Sequence, residues 1–155
     1  MSLKAPANQA VDGAGMRIGI AAARFNPALV DGLLARVREV LRGAGVKEAD
    51  ITVVRVPGSH EVPWAASRLV RKRDCAIALG VLIGGDTNHH EMVGQSVSQA
   101  LQRIAVDSGV PVINGVIVVE SEAQAEARCL GAIDRGAEFA RAALEMAALK
   151  RKSLR

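Results

Sequence analysis

The chain has 155 residues, half of them apolar, and a formal net charge of +4, enough for one domain with its own core. The longest apolar stretches, residues 75–83 and 110–119, are too short to span a bilayer, and residues 1–15 carry one Lys and no apolar run, so neither a membrane span nor a secretory signal is expected. Cys75 and Cys129 lie outside any CxxC spacing and read as reduced core thiols of a cytoplasmic protein. The basic clusters Arg68-Arg71-Lys72-Arg73 and Lys150-Arg151-Lys152-Arg155 lack interleaved aromatics and read as solvated helix ends, not a nucleic-acid platform.

Residues 1–15, small and polar with two glycines, are expected to be a flexible arm ahead of one domain over 16–155. A first strand is expected over residues 16–23. Asn26 then offers an N-cap and Pro27 a first helical position. Leu29, Leu33, Val37, Val40 and Leu41 recur at helical spacing up to Gly43 and Gly45. Residues 50–56 alternate as a second strand, and a turn fixed by Pro57, Gly58 and Pro63 leads into a short helix starting near Pro63. Cys75–Ile83 is a third strand. A third helix follows, with Met92, Val93, Val97, Ala100, Leu101 and Ile104 on one face. After Gly109-Val110-Pro111, Val112–Val119 is the fourth strand. Ser121 and Gln124 form a capping box for a fourth helix ending near Leu130-Gly131, and Asp134 caps a last helix running to about Lys150. Strands alternating with helices predict a four-stranded parallel sheet with right-handed crossovers and helices on both faces.

In such a sheet the strand-to-helix loops gather along one edge, where open α/β folds bind ligands. The loops near Arg24, Pro57 and Gly84 contain all three histidines and Phe25, in a chain with only two Phe, one Trp and no Tyr. Gly84-Gly85-Asp86-Thr87 feeds a helix N-terminus, so it is either a phosphate cradle or an ordinary tight turn; it matches neither GxxxxGK[ST] nor GxGxxG. His89 suits proton transfer near neutral pH, or is simply a polar helix-end residue. His90 and Glu91 beside it do not share a helix face with it, and no third ligand is placed, so no metal is expected. Phe25 is a stacking ring or a hydrophobic staple. Glu61 is a polyol acceptor or a first-turn carboxylate, and Arg128 a phosphate fork or a solvent-facing cation.

Taken together, these loops resemble the 6,7-dimethyl-8-ribityllumazine synthase family over about residues 16–150. The resemblance rests on Arg24-Phe25-Asn26, on Val56-Pro57-Gly58-Ser59-His60-Glu61-Val62-Pro63, and on residues 79–93 with Gly-x-Thr-x-His. It continues through Pro111-Val112-Ile113-Asn114-Gly115, Gln124-Ala125 with Arg128, and residues 136–146. It implies a flavodoxin-like three-layer α/β protomer that uses no metal or organic cofactor. The reaction would condense 5-amino-6-(D-ribitylamino)uracil with 3,4-dihydroxy-2-butanone 4-phosphate, releasing phosphate and water. By the same resemblance Phe25 stacks on the pyrimidine, while Ser59, His60 and Glu61 hold the ribityl chain and ring edge. Val81, Leu82 and Ile83 present strand backbone to the ring, Asp86 and Thr87 seat the phosphate, and His89 transfers protons. Asn114 and Arg128 match positions that a neighbouring subunit supplies, in a homopentamer or an assembly of pentamers with shared sites.

The chain departs from the family's usual pattern at several of these positions. Asn114 stands where an aromatic ring is common, His60 where Phe or Leu is, and Gly84 where Arg often is. His90-Glu91 replaces an aromatic-Asp pair, and residues 129–135 replace a Gly-rich loop one residue longer that influences closure of pentamers into a shell. Two other readings stand beside the synthase: a weakly active or non-catalytic paralogue that binds flavin or lumazine, and a shell-forming structural protein.

Overall fold

The computed structural model describes residues 4–153. In chain order it has β1 (Ile18–Ala23), α1 (Pro27–Gly43), β2 (Ile51–Val56), α2 (Val62–Leu69), β3 (Cys75–Ile83), α3 (His89–Ser108), β4 (Val112–Val119), α4 (Glu122–Cys129) and α5 (Arg135–Ser153). A 3-10 turn over Ser59–Glu61 leads into α2. The four strands pair in parallel in the order β2-β1-β3-β4. This is the parallel sheet that the alternation of elements predicts, in the flavodoxin-like α/β arrangement that the resemblance implies.

The two faces of the sheet are built differently, because successive strand residues point to opposite sides. Ile18 and Ile20 of β1 and Ile77 and Leu79 of β3 meet α1, α4 and α5 in one large-residue cluster. On the other face the strands present Ala21, Ala23, Ala76 and Ala78 to α2 and α3. Small residues let that second layer come close. A Cβ on Gly19 would lie 2.9 Å from the Cβ of Leu69, and one on Gly80 would run into Ser59 Oγ. The thin face is therefore the one on which the loop after β2 can lie directly against β3.

Several local expectations are met with different partners. Asn26 is at the N-cap of α1 with φ 58°, but its side chain makes no cap; Nδ2 donates to the Val81 carbonyl at 2.9 Å. Ser121 caps α4 by accepting from Gln124 N, while Gln124 Oε1 accepts from Glu120 N at 2.8 Å, one residue ahead of the cap. Asp134, at φ 46° before α5, accepts weakly from Ala137 N and takes the Arg36 guanidinium with both oxygens. Those Arg36 hydrogen bonds hold its carboxyl below the usual range and tie α5 to α1.

The basic clusters are not uniformly solvated. Arg73 Nη2 donates to Thr52 Oγ1, and Arg151 binds Asp74 with two 2.9 Å hydrogen bonds. Cys75 and Cys129 are buried, free thiols, pushed up by burial to about 12 and about 11. Among the described residues no helix is long and apolar enough to cross a membrane.

Candidate active site

The site follows from unequal strand lengths. The register of β1 on β3 ends at Ala22 opposite Leu79, whereas β3 continues to Ile83. On its other side β3 is paired with β4 up to Ile83 opposite Val119. The last residues of β3 therefore have an uncovered backbone edge at the crevice between β1 and β3. This is the switch point of the strand order, where this class of sheet binds ligands.

A cavity of about 740 Å³ opens there, with Val81, Leu82 and Ile83 as one wall. Phe25 and Asn26 close it from the loop after β1, Ser59, His60 and Glu61 from the turn after β2, and His89 from the start of α3. Backbone bonds hold two of these loops together: Arg24 N donates to Val56 O at 2.8 Å, and Phe25 N to Pro57 O at 3.1 Å. Phe25 is 69 % exposed, so it is not a packed staple. Its ring lies over Gly58, where a Cβ would come within 3.2 Å of Cδ2. Glu61 Oε1 accepts from Gly58 N at 2.9 Å, and its Oε2 stands 3.8 Å from His60 Nδ1. Ser59 is buried against Gly80, and its hydroxyl has no hydrogen-bond partner.

The remaining wall joins His89 to residues that sequence reasoning did not assign to the site. With His89, Met92, Val93 and Ser96 line the cavity, the one-face spacing of a helix. The periodicity from His89 was the available signal. Met92 shares its predicted helix face with Val97 and Leu101, yet it is 61 % exposed where those two are buried. Asn26 also belongs here, since its Nδ2 takes the Val81 carbonyl, which lies beyond the pairing with β1.

His90 lines the same cavity as His89, but its ring is already paired within the protein. It is 7 % exposed, with Nε2 3.0 Å from Glu120 Oε1. The Glu120 carboxylate chiefly raises its pKa. Glu91 and the Thr87 carbonyl add to that, although Nδ1 has no partner of full hydrogen-bond geometry. Ligand atoms of His90, Glu91 and Glu120 lie within 4.8 Å of one another. The third residue missing from the sequence argument for a metal is thus Glu120, but its Oε1 already pairs with His90 Nε2.

Asp86 and Thr87 are exposed on the turn between β3 and α3, beyond the cavity lining. The glycines of that turn have different surroundings: a Cβ on Gly85 would meet open space, whereas one on Gly84 would lie 2.7 Å from Glu120 Oε2. Gly84 thus makes room for a side chain of the protein itself. Asn114 and Arg128 do not line the cavity. Asn114 is exposed on β4 opposite Ala78, and its Oδ1 accepts from Val116 N. Arg128 is on α4, which packs on the α1 and α5 face, and donates to Gln124 O at 3.0 Å.

The sequence profile of 6,7-dimethyl-8-ribityllumazine synthase matches residues 15–151. A 6,7-dimethyl-8-ribityllumazine synthase of Kineococcus radiotolerans is 47 % identical over 139 residues, 87 % of this chain and 85 % of the relative. One of Stenotrophomonas maltophilia is 45 % identical over 133 residues, 84 % of this chain and 86 % of the relative. One of Mycobacterium avium is 42 % identical over 153 residues, covering 97 % and 94 %. With a profile match over nearly all of its length and relatives this similar, the chain belongs to the 6,7-dimethyl-8-ribityllumazine synthase family.

Proposed function

We propose that the chain condenses 5-amino-6-(D-ribitylamino)uracil with 3,4-dihydroxy-2-butanone 4-phosphate to give 6,7-dimethyl-8-ribityllumazine, phosphate and water. The observation that carries this reading is the single cavity at the β1/β3 crevice, which combines an exposed ring, a free strand edge, an unpartnered hydroxyl and a histidine. A planar heterocycle with a polyol side chain needs those features. Phe25 stacks on the pyrimidine, the edge of Val81, Leu82 and Ile83 meets its amide-like groups, and Ser59, His60 and Glu61 take the ribityl hydroxyls and ring edge. The phosphate sits on the turn bearing Asp86 and Thr87, at the N-terminus of the long helix α3, where amides and the helix dipole favour an anion.

The chemistry is imine formation, loss of phosphate, ring closure and dehydration. Each step moves a proton, and His89 at the cavity wall is the group that exchanges it. Holding two reactants at one wall supplies much of the acceleration. Donors on the departing phosphate supply more. Asn114 and Arg128 complete the site of a neighbouring subunit in a homopentamer, and the arm over residues 1–15 covers a neighbour's sheet edge. The protein works in the cytoplasm, a reading supported by its free, buried thiols. Formation of the lumazine from the two substrates, beside a measured solution mass, tests this. A folded protein that binds lumazine or flavin and makes none would overturn it.

A further inference from the structure

We propose that His90 and Glu120 are positioning residues that clamp the turn between β3 and α3 and so set where the phosphate and His89 sit. The proposal rests on the reading of that turn as the phosphate seat. The turn is exposed from Gly85 to His89 and is held at its two ends. At the start, Gly84 N donates to Val119 O at 2.8 Å. At the far end, His90 Nε2 meets Glu120 Oε1 at 3.0 Å. Both anchors belong to consecutive residues at the end of β4, so the turn is stapled to one rigid point.

That point is itself fixed. Glu120 N donates to Gln124 Oε1 at 2.8 Å, within the capped first turn of α4. The Glu120 carboxylate crosses above Gly84, where a Cβ would lie 2.7 Å from Oε2 and 3.2 Å from the Glu120 Cα and carbonyl oxygen. Only a glycine at 84 lets the carboxylate reach His90 by this path. The His90 ring is buried, so it moves little once paired. Glu120 faces it from the end of β4 and Glu91 acts on it from its own helix, while His60, Glu61 and His89 share the cavity wall. The Glu120 carboxylate raises the His90 pKa, which favours the charge-assisted form of this contact.

The test combines steady-state kinetics with amide hydrogen exchange over residues 85–89 in wild type, Glu120→Ala, Glu120→Gln, His90→Phe, Gly84→Ala and the Glu120→Ala/His90→Phe double variant. Glu120→Ala and His90→Phe should each raise KM for the butanone phosphate about tenfold, with a smaller change in kcat and none in KM for the uracil. Exchange over 85–89 should accelerate in both. The double variant should be no worse than either single one, and Gly84→Ala should resemble Glu120→Ala. Glu120→Gln keeps an acceptor for Nε2–H and should recover most of the loss. Unchanged KM and exchange in folded single variants, or additive losses in the double, would overturn the clamp. If the wild type makes no lumazine, the proposed reaction fails. Exchange over 85–89 with inorganic phosphate as probe then decides the clamp alone: faster exchange and weaker phosphate protection in Glu120→Ala support it, and wild-type behaviour sinks it. Glu120→Ala truncates an exposed side chain, so the set stays readable even if His90→Phe fails to fold.

Discussion

The two ends of the sheet treat buried polar groups in opposite ways. Three polar or charged side chains are buried among the described residues: Asp74 at the amino end, Ser59 and His90 at the carboxyl end. Asp74 is fully engaged, accepting from Arg17 N at 2.8 Å and from two Arg151 nitrogens at 2.9 Å. Burial alone would raise its pKa, but the Arg151 and Arg17 hydrogen bonds outweigh burial and hold it below the ordinary value. Ser59 Oγ and His90 Nδ1 are left without partners. An unpaired buried polar atom costs about 1–3 kcal/mol; two of these atoms line the cavity where a ligand would enter, and Arg55 Nε on β2 is a third among the described residues. The amino end holds the chain together, and the carboxyl end is incomplete until something binds.

Variants at the two ends should therefore separate activity from stability. The largest effect expected is at His89. His89→Ala should lower kcat about a hundredfold or more with an unchanged unfolding midpoint, read by lumazine absorbance and thermal melting. A matching drop in melting temperature would mean that His89 supports the fold and that the ends are not distinct. Next is Asp74→Asn, which should cost about 2 kcal/mol of stability, measured by urea unfolding, and leave kcat per folded site at the wild-type value. The sign with pH follows from the lowered Asp74 pKa. Its contribution is present above the unfolded carboxylate value, about 4, and is lost as the pH falls through the lower folded value. Acid unfolding of the wild type should accordingly be steep below about pH 4, and Asp74→Asn should flatten that limb. An unchanged acid limb would remove Asp74 from the comparison.

Smaller again is Arg128→Ala, which tests whether the carboxyl end is completed by a second chain. It should raise KM for the butanone phosphate about tenfold. Arg128 lies on α4, away from its own cavity. Mixing unfolded Arg128→Ala and His89→Ala chains and refolding them together should therefore restore activity above either parent, because some sites would pair an intact His89 with a neighbour's intact Arg128. No recovery in mixed oligomers would confine the site to one chain.

The fold was legible because its signals are local. Cys75–Ile83 and Val112–Val119 are apolar runs bounded by polar turns, and the structure reproduces their ends residue for residue. Ser121 and Asp134 announce their helices by short-range capping chemistry. What was not legible depends on pairing in space. Glu120 is separated from His90 by thirty positions, and nothing in either neighbourhood predicts the 3.0 Å contact. Gly84 and His90 meet at this one carboxylate. Asn favours the helix N-cap, so the sequence predicts a capping side chain at Asn26. The greater length of β3 over β1 gave its side chain a different acceptor. Arg73 and Arg151 looked like solvated charge for the same reason: their partners Thr52 and Asp74 are remote in sequence.

The finest test of the comparison is Ser59→Ala. The hydroxyl is buried against Gly80 with no acceptor or donor in reach, so its removal deletes an unsatisfied group and leaves the packing almost intact. Stability should stay level or rise by up to about 1 kcal/mol. If the hydroxyl is held open for the ribityl chain, the same variant loses one neutral hydrogen bond to ligand, and KM for the ribitylaminouracil should rise about fivefold. A structural serine gives the opposite pattern, with lower stability and an unchanged KM. Asp74→Asn and Ser59→Ala together thus form a crossed pair, one trading stability at constant activity and the other trading binding at constant stability. If both variants moved the same quantity, the division between a finished amino end and an open carboxyl end would not describe this molecule.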